Sequence, residues 1–155
     1  MFKLLWNKNV QLSLFSAISM LSVTFIVSAA PFNAFPGNLK AKLVNVEAAN
    51  VVTVSVDVWP GYPRNFRVTL PNLMLPENDP QAPACQIELI QKGLDFTNEF
   101  LTKAKNLKVK DIMMENTAET NALSNVYTNN GSLGAKLIAE GLARPASVKS
   151  TKPWC

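Results

Sequence analysis

A mainly β domain with two packed helices, its five strands closing into a Greek-key barrel, is the fold class that the sequence predicts. Three observations carry it. Val52-Thr53-Val54-Ser55-Val56-Asp57-Val58 and Phe66-Arg67-Val68-Thr69-Leu70 alternate apolar and polar residues on either side of a Pro-Gly turn, the period of a hairpin with one buried face. From Cys85 to Ala104, Ile87, Ile90, Leu94 and Leu101 recur at helical spacing, with Phe100 and Ala104 flanking. Two weaker strands, Leu107–Met114 and Leu123–Thr128, then precede a second helix. The chain of 155 residues has room for one such domain once a targeting segment is set aside.

In chain order, residues 1–30 come first. They hold Lys3 and Lys8, no acidic residue, and no charge from Val10 to Val27, the pattern of an export signal with cleavage after Ala29. An uncleaved membrane anchor is the competing reading, since the apolar-biased run approaches the ~20 residues that span a bilayer. Both readings put the domain outside the cytoplasm, periplasmic, secreted or membrane-anchored. Residues 31–39, with Pro31, Pro36 and Gly37, read as an extended linker. The domain then runs over 40–148, starting with a strand at Lys42–Val46, and 149–155 form a tail ending in Cys155.

The turn Trp59-Pro60-Gly61-Tyr62-Pro63 joins the hairpin strands and leaves Arg67 and Thr69 opposite the core face. Lys103 and Lys105 suit the negative end of the long helix. Asn129-Asn130-Gly131 turns the chain into the second helix, with Ser132 as N-cap, Leu133, Leu137 and Ile138 facing inward and Gly141 as the stop.

Composition excludes several chemistries. No histidine is present, which removes Ser-His-Asp triads, Cys-His dyads and His-ligated zinc. Two cysteines cannot build a four-thiolate metal site. No haem, flavin or zinc partner is expected. With Lys3 and Lys8 in the export segment, 13 basic residues face 11 acidic ones over the rest of the chain, so any attraction for polyanions has to be local.

Three strands, a helix, two strands and a helix form the order of an OB-fold. On that frame, Phe66-Arg67-Val68 leading to Pro76-Glu77, the long helix, and Gly131-Ser132-Leu133 through Leu137-Ile138-Ala139-Glu140-Gly141-Leu142-Ala143-Arg144 resemble the thermonuclease-like (micrococcal nuclease) family over about residues 40–148. The resemblance implies phosphodiester cleavage by a calcium ion on two aspartates, a glutamate that activates water, and two arginines that clamp phosphate. Arg67 matches the first arginine and Glu77 the glutamate, across an interval lengthened relative to the family pattern. The two metal aspartates fall on Asn50 and Asn72, which keep an oxygen ligand but remove two negative charges. The second arginine falls on Asn121, and Ser147 stands where the family places a tyrosine beside the nucleotide.

No cofactor is therefore expected, calcium included, unless a rearranged site recruits carboxylates such as Asp79 or Glu47. The resemblance implies an exported, catalytically impaired thermonuclease-like module that binds single-stranded nucleic acid or an envelope protein. The alternative is an active calcium-dependent nuclease. Lys103, Lys105, Lys108 and Lys110 form either a basic strip or ordinary solvent contacts. Trp59, Tyr62 and Phe66 form either a stacking platform or turn and core packing. Export and the family's Trp-Cys ending together point to a Cys85–Cys155 disulfide, with free or intermolecular cysteines as the other readings.

Overall fold

A computed structural model describes residues 30–148 and 152–155. The export segment expected over 1–30 lies, apart from Ala30, outside the described residues. The elements in chain order are β1 (Phe32–Ala48), β2 (Val51–Trp59), β3 (Tyr62–Thr69), β4 (Leu73–Met74), α1 (Ala84–Thr102), β5 (Leu107–Met114), β6 (Asn121–Thr128), β7 (Gly131–Ser132), α2 (Leu133–Ala139) and β8 (Arg144–Pro145).

Strand β1 is long enough to serve two neighbours. Its second half pairs antiparallel with β2 from Ala41 to Ala48, and its first half pairs antiparallel with β5 from Phe32 to Ala41. The expected linker over 31–39 is thus largely strand, and the domain starts earlier than residue 40. Pro36 and Gly37 are tolerated because the register shifts between Phe35 and Asn38, a bulge that takes proline out of the ladder. Gly37 adopts φ +88° and donates its N–H to Asp111 Oδ1 at 2.8 Å. Phe35 sets its ring edge-on to Phe66, centroids 5.6 Å apart.

The β2–β3 hairpin forms as the alternation predicts, with Trp59 paired to Tyr62 across Pro60-Gly61 and Gly61 at φ +79°. Strand β3 also pairs in parallel with β6, Arg67 beside Asn121 and Thr69 beside Leu123. That pairing closes the order β3-β2-β1-β5-β6 into a ring of five strands, with β7 on the outer edge of β6 and a separate β4–β8 pair. Val52, Val54, Val56, Phe66, Val68, Val109, Ile112 and Val126 fill its interior, each 0% or 1% exposed.

Helix α1 buries Leu101, as the periodicity suggests, but towards its N-terminal half the buried face is rotated away from the expected one. Gly93, Thr97 and Leu101 are buried, whereas Ile87 is exposed and Ile90 and Leu94 are half-buried. The helix docks on the β1–β2 turn: Thr97 donates its hydroxyl to the Ala49 carbonyl at 2.7 Å, and a Cβ at Gly93 would come within 3.0 Å of the Ala49 Cβ. Contact this close favours small residues, which a search for large apolar side chains overlooks. Helix α2 is capped as expected, Ser132 Oγ accepting from Ala135 N, and Gly141 ends it at φ +70°. Leu133 and Leu137 are buried, but Ile138 lies at the surface, because a seven-residue helix presents only a narrow inner face.

Cys85 and Cys155 are bonded, their Cα atoms 6.3 Å apart. Arg144 holds the same tail from the other side. Its guanidinium donates to the carbonyls of Lys152 (2.6 Å) and Pro153 (2.8 Å) and lies 4.0 Å over the Trp154 ring, a cation–π contact.

Candidate functional site

Arg67 projects from the outer face of the ring because its neighbours Phe66 and Val68 point inward. Its backbone N–H donates to the Thr120 carbonyl at 2.9 Å, just ahead of β6. On one side it pairs with Thr53 of β2 and on the other with Asn121 of β6. Arg67 Nε donates to Glu47 Oε2 at 2.6 Å, and the Thr53 hydroxyl donates to Glu47 Oε1 at 2.8 Å. The Thr53 hydroxyl and then the Arg67 guanidinium hold the Glu47 carboxyl below the usual glutamate range. The pair is half-exposed, with side-chain accessibilities of 46% and 31%, so solvent screens it.

Two clefts meet this ion pair. One, of about 320 Å³, is lined by Arg67, Thr69, Met113, Glu115, Glu119 and Asn121, among others. The other, of about 300 Å³, lies between α1 and the β1–β2 turn, where Glu47, Asn50, Leu75, Pro76, Asn78 and Ile90 contribute. Glu47 therefore belongs to the second cleft while its carboxylate holds the arginine of the first.

The expected site residues divide accordingly. Arg67 and Asn121 are brought side by side. Asn50 accepts the Leu70 N–H at its carbonyl (2.9 Å) and lines the second cleft. Asn72, at φ +60°, accepts the Ala146 N–H (2.9 Å), which places the exposed Ser147 one residue away. Glu77 is exposed, and its carbonyl accepts from Gln86 Nε2 of α1 (2.8 Å), one residue from Cys85. Asn50, Asn72, Glu77 and Ser147 do not line the Arg67 cleft. Among the described residues no three Asp, Glu or Cys side chains gather as a metal site. Asp79 caps its own turn, its carboxylate accepting the Gln81 N–H at 2.8 Å.

Sequence reasoning missed the Arg67–Glu47 pair and the loop that borders it. Glu47 falls where the β1–β2 register shifts between Val46 and Ala48, so strand alternation does not show which residue it faces. Arg64 donates to the carbonyls of Thr117 and Glu119 and its guanidinium lies 5.1 Å from the Phe66 ring centre. It thereby fixes the 115–120 loop that supplies Glu115 and Glu119.

The other expected features separate. Phe66 is core rather than platform, while Trp59 and Tyr62 are about 70% exposed at the hairpin tip. Lys103 pairs with Glu99 along α1, and Lys105 and Lys108 line a different cleft. No helix among the described residues is long and apolar enough to cross a membrane. No family model matches this chain, and no curated protein matches it significantly.

Proposed function

We propose that the chain is an exported, thermonuclease-like OB-fold module that has lost efficient phosphodiester cleavage and works by binding, with single-stranded nucleic acid or an envelope protein as its partner. One observation carries this reading. Arg67, the phosphate clamp that the resemblance implies, has its Nε engaged by Glu47 and stands beside an amide, Asn121, rather than a second guanidinium. A second arginine on a phosphoryl transition state is worth ~10³ to 10⁵ in rate. An amide supplies neither its charge nor its fork of donors. Asn50 and Asn72 offer neutral oxygens to a hard cation that prefers carboxylates. The order of the long strands, with α1 between β3 and β5, is consistent with the OB-fold part of the proposal.

Single-stranded DNA and RNA incubated with the full-length chain, with calcium and then with EDTA, test it. The expected result is no calcium-dependent cleavage, and no rise in melting temperature with millimolar calcium, because a ligand stabilises only above its dissociation constant. Glu115 and Glu119 beside Arg67 favour the second reading, a nuclease with a rearranged metal site. Calcium-dependent cleavage that Glu115→Gln or Glu119→Gln abolishes would establish that reading instead.

A further inference from the structure

Away from Arg67, a cleft of about 410 Å³ opens on the outer face of β1, β2 and the start of β5, lined by Lys40, Lys42, Lys105 and Lys108 together with Ser55 and Asp57, among others. Lys40 stands directly opposite Lys108 in the β1–β5 ladder. Cβ atoms of opposed residues are ~4.5 to 5.5 Å apart, and like charges there are destabilising. Lys42 follows two residues along the same face of β1, opposite Ser55 of β2. The Lys105 backbone is pinned where it leaves α1, its N–H donating to Asn129 Oδ1 at 3.0 Å. Among the described residues, none of the four ammonium groups makes an ion pair or a side-chain hydrogen bond. Lysines on a surface of nearly balanced charge usually spread apart or find carboxylates. Here four converge with one carboxylate, Asp57, among the lining residues.

We propose that this cleft is an anion site for a small ligand carrying two linked phosphates. Its volume lies in the ~300 to 1,000 Å³ range of small-molecule sites. Four ammonium groups less one carboxylate leave three positive charges, and two phosphates near neutral pH carry roughly three to four negative ones. Lysine suits them as a flexible point charge with three donors. Neither Arg67 nor any position carried over from the nuclease resemblance is part of this cleft, so the proposal stands apart from the fate of the Arg67 face. The diphosphate could be free or borne by a nucleotide, and the test separates these.

Thermal denaturation of the full-length chain is measured with pyrophosphate, with ADP, and with sulfate at matched ionic strength. Pyrophosphate or ADP at a hundredfold excess over its dissociation constant raises Tm by about 5 to 10 °C, and sulfate does not. Compared at one shared ligand concentration, an equal rise with both assigns the diphosphate alone, and a larger rise with ADP assigns the nucleotide. Lys108→Gln moves two readouts in opposite directions: the unliganded Tm rises by about 1 to 3 °C as the like-charge pair is relieved, and the ligand-induced rise disappears. Lys40→Gln does the same. Lys136→Gln, on α2, leaves the ligand response intact. A sulfate effect equal to that of pyrophosphate, a pyrophosphate response that survives Lys108→Gln and Lys40→Gln, or binding seen only with oligonucleotides or anionic vesicles would overturn the proposal.

Discussion

Glu47 and Arg67 tie together two clefts, one on the β3–β6 side of the ring and the other at the β1–β2 turn. The carboxylate takes Nε of the guanidinium and leaves its two terminal nitrogens without a hydrogen-bond partner among the described residues. The arginine is therefore oriented but not used up. Folding lowers the Glu47 pKa, so its contribution to stability is fully present above ~4.3, the ordinary glutamate value. It is lost as pH falls through the lower folded-state value. The difference in Tm between the wild type and Glu47→Gln should accordingly be constant around neutral pH and close below pH ~4. A difference that instead grows in acid would show that the pair does not hold in solution. At this scale the sequence was informative about residue type and nearly silent about partners. That Arg67 faces outward was legible, because it alternates with the buried Phe66 and Val68. The tie to Glu47 was not, because it depends on a bulge.

Helix α1 shows the same limit for a whole element. Its existence and ends follow from apolar spacing, but its buried face follows from how closely it approaches Ala49. Thr97→Val removes the donor to a buried carbonyl and should destabilise by about 1 to 3 kcal/mol. Ile87→Ala, on the face that periodicity favours, should stay within about 0.5 kcal/mol. Urea unfolding of the two variants decides between the faces, and the reverse order of costs would mean that the helix docks as periodicity suggests. The hairpin, the two later strands and the capping of α2 were readable because alternation, Pro-Gly and Ser-to-Gly signals are local. The first half of β1 was not. Pro36-Gly37 signals a break on its own, and only the partner strand, with Asp111 at φ +54° accepting the Gly37 N–H, turns that break into a bulge. The two-residue strands β4 and β8 are too short to leave any period.

For the molecule as a whole, the 85–155 bridge and the Arg144 clamp anchor the tail beside the Glu77 loop. A bridge of 70-residue separation is worth up to about 4 kcal/mol by chain entropy. Cys155→Ser should cost a large part of that in urea unfolding, and intact mass before and after reduction should differ by two hydrogens. Arg144→Ala combined with Cys155→Ser should release the tail to proteases, while Cys155→Ser alone should leave it partly protected. Ring closure has a consequence of another kind, in time rather than in energy. Strand β1 pairs residue 32 with residue 114, and β3 meets β6 only after α1 and β5 have been laid down. Contacts so distant along the chain make folding slow, on the millisecond-to-second scale typical of non-local β topologies. Until β5 arrives, the Phe32–Ala41 half of β1 is an open edge carrying two phenylalanines, the kind of edge on which nascent chains aggregate. Whatever escorts this polypeptide while it folds has that segment to shield.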